Sequence, residues 1–378
     1  MPWRSRYSRT RSRMGDRPVC RPLATRGRLY WVRRSERRAH RAAANAATTR
    51  WIGSWPWGAC LGLLVSRGLG AYDLPAINLG YTSFLDGYPP TGSGWLFQQY
   101  LQFYRDARLK DAHNGDLLLP VVRDGKVELE KAQIDLTISL TQITYRYYPP
   151  NQKPFLGGTW GLNLMLPFTY FDLDSGEHRS IVTANQAILS DVVASPFIQI
   201  DPIVGANGFR LVQRIELQLV LPTGEYDPSR SINPGSNYVS FNPFWAGTAF
   251  AVPRWTFSWR LYYLWNGEND HPKTSLEADT AQAGQAVYLN FAGAYDAMPS
   301  RLRIGINGYY LKQIADSKVD GKSIPHSEEQ VFGIGPGLVY HVSKQDHVFL
   351  NAYWETWAED HTQGSRTTLR YLHLFPSS

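Results

Sequence analysis

From about residue 95 to the C-terminus, apolar and polar side chains alternate over stretches of ten or more residues, the period of a strand with two unlike faces. In Ile134-Asp-Leu-Thr-Ile-Ser-Leu-Thr141 the residues Ile134, Leu136, Ile138 and Leu140 share one face, and Asp135, Thr137, Ser139 and Thr141 share the other. Trp255, Phe257, Trp259, Leu261 and Tyr263 oppose Thr256, Ser258, Arg260 and Tyr262 in the same manner. Continued along the chain, the pattern predicts strands near 95–104, 134–147, 159–170, 191–200, 209–221, 237–250, 255–265, 281–295, 301–313, 329–341, 347–358 and 366–375. No helical period of useful length appears after residue 72.

The twelve segments are joined by links that alternate in length. Short ones fall at 148–158, 201–208, 251–254, 296–300 and 342–346, rich in turn residues such as Pro149-Pro150, Asp201-Pro202 and Lys344-Gln345-Asp346. Long ones fall at 105–133, 171–190, 222–236, 266–280, 314–328 and 359–365. With an even strand number both termini lie on the short-turn side. This predicts an all-β fold: a transmembrane antiparallel up-and-down β-barrel of about 12 strands with short periplasmic turns and long external loops.

Alternation separates two faces without saying which is inward. In a membrane barrel the apolar face meets lipid and the polar face lines the lumen. On that reading Arg214, Glu216, Arg260, Arg303, Glu355 and Arg370 point inward with Tyr262, Tyr288, Tyr309 and Tyr353 beside them. Charges at membrane depth are costly unless they pair or line water. The set is therefore either a brace that pairs across the lumen or a constriction that selects a solute. Trp255, Trp265, Tyr295 and Trp354, near strand ends on the opposite face, suit an interfacial girdle.

Composition agrees. Aromatic residues make up 13% of the chain, including 13 Trp and 22 Tyr. The formal charge of +7 belongs to the start of the chain, since residues 1–50 hold 15 Arg against Asp16 and Glu36. From Tyr72 onward 23 basic residues face 30 acidic ones, a balance of −7. The clustered basic surface that nucleic-acid binding needs is missing.

Residues 1–50 are Arg-rich and Ser-rich with no apolar period, so they read as a disordered or mis-assigned prefix. Residues 51–71 carry the 11-residue apolar run Trp55–Val65 and small residues up to Ala71. That run is shorter than the ~20 residues of a transmembrane helix, and its setting is that of a cleaved signal peptide. Cys20 and Cys60 both precede residue 72, so the exported chain is expected to be free of thiols and disulfides. Residues 72–94, with Pro89-Pro90, Gly92 and Gly94, do not suit a strand interior. They are expected either to trail in the periplasm or to enter the lumen as a hatch, ahead of a barrel at 95–375.

Covalent chemistry has little footing. No Gly-x-Ser-x-Gly elbow occurs, and the histidines of the body are scattered, with no pair at metal-ligand spacing on one strand face. Asp172-Leu-Asp174 and Glu268-Asn-Asp270 offer the clustered oxygens that a calcium ion wants, but short acidic pairs in external loops are usually only solvated. No catalytic residue, metal or cofactor is expected.

Several long phrases carry a family likeness. Leu74-Pro-Ala-Ile-Asn-Leu-Gly-Tyr-Thr-Ser-Phe-Leu-Asp-Gly-Tyr-Pro-Pro90, Arg214-Ile-Glu-Leu-Gln-Leu-Val-Leu-Pro-Thr-Gly-Glu-Tyr-Asp227, Ile232-Asn-Pro-Gly-Ser-Asn-Tyr-Val-Ser-Phe-Asn-Pro-Phe-Trp245 and Gly305-Ile-Asn-Gly-Tyr-Tyr-Leu-Lys-Gln313 resemble the bacterial family named for the meta-cleavage phenol-degradation pathway. The resemblance runs from about Leu74 to Phe375. It implies a transporter-like barrel of the Gram-negative outer membrane for passive uptake of small hydrophobic or aromatic compounds, and it supplies no catalytic residues. The expected partners are outer-membrane lipids, a small organic solute and the barrel-assembly machinery. Leu369, Tyr371 and Phe375 in the last segment resemble a C-terminal insertion signal, though His373 and the trailing Pro376-Ser-Ser378 depart from it. The alternatives are a structural or adhesive barrel with a closed lumen and a lipid-modifying barrel enzyme.

Overall fold

The computed structural model describes residues 74–87, 93–123, 126–148, 158–172, 184–185, 188–205 and 208–376. The prefix and the signal peptide expected from the sequence lie outside the described residues, as does Asp174. Twelve long strands succeed one another: β1 (Gly94–Leu109), β2 (Gln133–Tyr147), β3 (Thr159–Asp172), β4 (Val192–Val204), β5 (Arg210–Glu216, continued by Leu219–Leu221), β6 (Ser240–Phe241, continued by Phe244–Val252), β7 (Trp255–Asn266), β8 (Ala286–Met298), β9 (Leu302–Gln313), β10 (Gln330–His341), β11 (Asp346–Glu359) and β12 (Thr362–Pro376). Each pairs antiparallel with its sequence neighbour. β12 returns to pair with β1 from Gly94↔Pro376 to Leu109↔Thr362, closing the barrel and leaving no edge strand.

The outward face is a belt of exposed large side chains, among them Trp95, Leu162, Leu164, Phe257, Trp354 and Leu369. Such a belt is unstable in water and stable in the hydrocarbon of a bilayer. Trp255 and Trp265 lie outward at the two ends of β7, and Tyr295 packs against Trp255 with ring centroids 5.2 Å apart.

The predicted strands and the twelve-fold count match the observed ones closely, with differences that have local causes. β5 breaks at Leu217-Gln218 and β6 at Asn242-Pro243. Pro243 in β6 has no N–H to give to the ladder, and neither has Pro196 in β4, which lies opposite the break in β5. Leu217 N bonds to Pro196 O at 3.0 Å and Asn242 N to Gln218 O at 2.9 Å, so the wall stays continuous. The link expected to be long at 359–365 is a turn of two residues, Asp360-His361. β11 and β12 run past the predicted ends, and Asp360 takes the left-handed conformation (φ 46°) that reverses the chain. Above β1 the chain forms a hairpin, Leu118–Arg123 with Lys126–Lys131. At its base Asp116 binds Lys110 and Lys131, each at 2.7 Å.

One expectation is overturned. Ile134, Leu136, Ile138 and Leu140 line an internal cavity, while Thr137, Ser139 and Thr141 face out. The outward polar groups satisfy one another. Gln99 Nε2 donates to Ser139 Oγ at 3.0 Å, Thr141 Oγ1 donates to Gln99 Oε1 at 2.7 Å, and Arg105 Nη2 donates to Thr137 Oγ1 at 2.9 Å. Side-chain pairing across β1 and β2 thus removes the penalty of showing these groups to lipid. The apolar row is released to wall the lumen.

Candidate functional site

Residues 74–87 pass through the barrel, held at several heights by lumen-facing side chains. Gln102 donates to Leu79 O at 3.1 Å, and Asn290 Nδ2 donates to Asn78 O at 2.8 Å while its Oδ1 accepts from Gly80 N at 3.2 Å. Farther along, Leu85 N donates to Ser258 Oγ at 3.0 Å and Gly87 N to Thr248 Oγ1 at 2.9 Å, and Gln199 donates to Gly87 O at 3.1 Å. A strand supplies one inward side chain every second residue, so short amides and hydroxyls at alternate positions form a ladder that receives an extended chain.

Apolar anchors complete the docking. Leu79 packs with Tyr288, Tyr309 and Tyr353, and Phe84 with Ala292, Val339 and Phe349. Gly80 sits at φ +77° against Tyr353, where a Cβ would come within 2.8 Å of the ring, so this position requires glycine.

Nine of the ten lumen candidates are buried inside the barrel wall, and they divide into groups. Arg260 grips Asp86 of the internal segment with Nε at 2.6 Å and Nη2 at 2.5 Å, and its Nη1 donates to Tyr262 OH at 3.1 Å. Tyr262 stacks on Tyr288 with centroids 4.1 Å apart, and Tyr288 donates to Asn242 Oδ1 at 3.0 Å. Glu355 accepts from Tyr104 OH at 2.6 Å, Tyr309 OH at 2.7 Å, Gly364 N at 2.6 Å and Arg366 Nε at 3.0 Å. Tyr353 packs at 5.2 Å from Tyr309. Glu216 accepts from Asn163 and Ser195, each at 2.7 Å, with Arg214 Nε 3.5 Å away. Arg370 stacks on Phe349, its guanidinium carbon 3.5 Å from the ring centroid. Arg303 stands apart near the short-turn rim, paired with Asp296 at 3.2 Å and only half-buried.

The candidates therefore do not form a single ring. The internal segment separates two chambers with different walls. The one toward the long loops, about 340 Å³, is walled by Leu136, Ile138, Leu140, Met165, Pro167 and the segment's own Leu74 and Ile77. The other, about 380 Å³, lies toward the short turns and is lined by Arg214, Arg260, Arg370, Lys344, Asp86, Tyr100 and Phe349. Small-molecule sites typically measure about 300–1,000 Å³ and combine apolar walls with a few convergent polar groups.

Sequence reasoning passed over Asp86, Arg366, Tyr104 and the amides Gln102, Asn163 and Asn290. Arg366 shares its parity with Arg370 on β12, which is enough to place it in the lumen. Asp86 carries no such signal, because nothing local to it announces a partner 174 residues away. Asp270 holds His271 (2.9 Å) and Asn269 holds Asn237 (2.8 Å), so 268–270 gathers no set of cation ligands. Among the described residues no group of three His, Cys, Asp or Glu is placed to hold a metal ion.

Comparison with known proteins agrees with this architecture. An outer membrane channel from Pseudomonas putida F1 has a similar structure, with 14% identity, 79% of this chain and 100% of that one covered, and a TM-score of 0.57. The CymD monoaromatic hydrocarbon channel aligns at 10% identity, with 83% of this chain and 97% of that one covered and a TM-score of 0.35. No curated protein matches the chain. The family described as the putative MetA pathway of phenol degradation matches residues 108–371. With its closed barrel of twelve strands and that match across most of its length, the chain belongs to this family.

Proposed function

We propose that this protein is an outer-membrane channel for passive uptake of small hydrophobic or aromatic compounds, in the phenol-degradation setting that its family's description names. The observation that carries the reading is the chamber of about 340 Å³ whose inward wall is Leu136, Ile138 and Leu140. A general water-filled pore is polar inside, whereas an apolar solute gains from a wall of aliphatic side chains. The class of cargo is proposed on the aliphatic lining of the chamber itself. Uptake requires binding and diffusion, with no covalent step.

The outer-membrane setting has further support in the lipid-facing Leu369, Tyr371 and Phe375 of β12, arranged as a barrel-assembly machinery would read them. A second reading, a barrel with a closed lumen, is favoured by residues 74–87 lying across the passage and by Glu355 bridging Tyr104, Tyr309 and Arg366. Uptake of labelled phenol by cells with and without the gene separates the two. Uptake that falls on deletion and returns on complementation supports a channel, and uptake equal in all three strains overturns it.

A further inference from the structure

The chamber toward the short turns has an excess of positive charge, of which the three arginines are buried and Lys344 is exposed at its mouth. Four cations line it, Arg214, Arg260, Arg370 and Lys344, against one carboxylate, Asp86. Asp86 is consumed by Arg260 through two short hydrogen bonds. Arg214 reaches the edge of Glu216 at 3.5 Å, but Glu216 already accepts from Asn163, Ser195 and Gln218. Arg370 is 5% exposed and meets no carboxylate among the described residues; aromatic faces, Phe349 at 3.5 Å and Tyr100 at 5.7 Å, are its neighbours. The Nε atoms of both Arg214 and Arg370 are buried without a hydrogen-bond partner.

An uncompensated guanidinium inside a protein is expensive, and each buried donor left unmet adds to that cost. The arrangement is stable when an anion arrives to complete it. Arginine's planar fork matches a carboxylate in particular, and the pairing of Arg260 with Asp86 shows such a match already made inside this lumen. Around Arg370 the chamber also offers Leu96, Leu372 and the Phe349 ring, a surface for an apolar body attached to that carboxylate.

We propose that the short-turn chamber is a carboxylate-binding site with Arg370 as its principal contact and Arg214 beside it, so that the solute this barrel takes is an aromatic acid of the benzoate type. The inference rests on the channel reading above and narrows its cargo. The aliphatic chamber receives the ring first, and the arginines then draw the anion toward the short-turn mouth. A neutral ring of equal size finds the first chamber and lacks the second contact.

The test compares benzoate with benzamide, its uncharged counterpart, at pH 7. Calorimetric titration of the full chain in detergent is expected to show benzoate binding at least tenfold more tightly. Arg370→Gln is expected to erase that difference while leaving benzamide unchanged, and Arg214→Gln to reduce it. Gel mobility shifted by heating reports that each variant is a folded barrel; should Arg370→Gln fail to fold, Arg370→Lys, which keeps the charge and loses the fork, is expected to weaken benzoate several-fold. Uptake of both labelled compounds into proteoliposomes runs in parallel. Equal binding and equal uptake overturn the carboxylate site and leave the channel standing. Absence of uptake for both compounds overturns the channel reading together with it.

Discussion

Asp86 and Arg260 lie 174 residues apart and meet in the lumen as a two-point ion pair, with Nε 2.6 Å from Oδ2 and Nη2 2.5 Å from Oδ1. Both side chains are about 5% exposed. The pair pins the segment 74–87 to β7, and so couples the state of the passage to one carboxylate.

Removing that carboxylate should release the segment. Breaking one side of a buried pair costs about 3–5 kcal/mol because the other charge is left unmet. Asp86→Asn is therefore expected to raise the conductance of single channels in planar bilayers. Gly80→Val attacks the same segment sterically, since its Cβ would stand 2.8 Å from Tyr353 Cε2 at a φ of +77° that a branched residue resists. Unchanged conductance in both variants, each a folded barrel, would show that the segment is no obstruction.

Glu355 braces the wall on the other side of the lumen. Glu355→Gln leaves Arg366 buried without its counter-charge and is expected to lower stability by about 3–5 kcal/mol. Tyr309→Phe removes one bond to the same carboxylate and should cost about 1.5–3 kcal/mol. Urea unfolding followed by tryptophan fluorescence ranks the two, and a Tyr309→Phe loss as large as that of Glu355→Gln would contradict the assignment.

The inverted face of β2 makes a prediction about neighbours in sequence. Ile138 points into the aliphatic chamber and Ser139 to the outside. Lost apolar contact in such a pocket is worth about 1–3 kcal/mol, so Ile138→Asn should slow uptake of labelled toluene into proteoliposomes by roughly tenfold. Ser139→Val, one position along, should leave it unaltered. The reverse order would mean that the strand register is wrong.

The turn Asp360-His361 carries a pH dependence. Burial, and then the carboxylates of Asp111, Glu359 and Glu328, push the Asp360 carboxyl up from 3.8 to about 6. The folded form thus holds its proton more tightly than the unfolded chain, so this group opposes folding as pH rises from about 4 through 6, and below that window the penalty vanishes. Asp360→Asn keeps a residue tolerant of φ 46° and removes the charge. It should gain about 1 kcal/mol at pH 8, a figure reduced from the full shift because the site is part-exposed, and nothing at pH 4. A gain that persists unchanged at pH 4 would assign it to the turn geometry instead.

The strands were legible in the sequence because a period of two is a local property: each segment needs only its own residues to show two unlike faces. The even count follows from the same local signal repeated, whereas the link expected to be long at 359–365 is a two-residue turn because β11 and β12 extend beyond the segments that the alternation marks. Parity also placed the ten candidate side chains on the inner face, nine of them buried and Arg303 half-buried at the rim, and would have placed Arg366 with them. Parity is silent about sense, however. The row from Ile134 to Leu140 looks like a lipid-facing row, and only the pairing of Gln99 and Arg105 with β2 makes its polar side fit to face outward.

The division into two chambers, the pairing of Arg260 with Asp86 and the isolation of Arg370 were likewise decided by the tertiary structure. They depend on which groups a curved wall brings within hydrogen-bond reach across a lumen, and that distance is not written in the spacing of residues along any one strand.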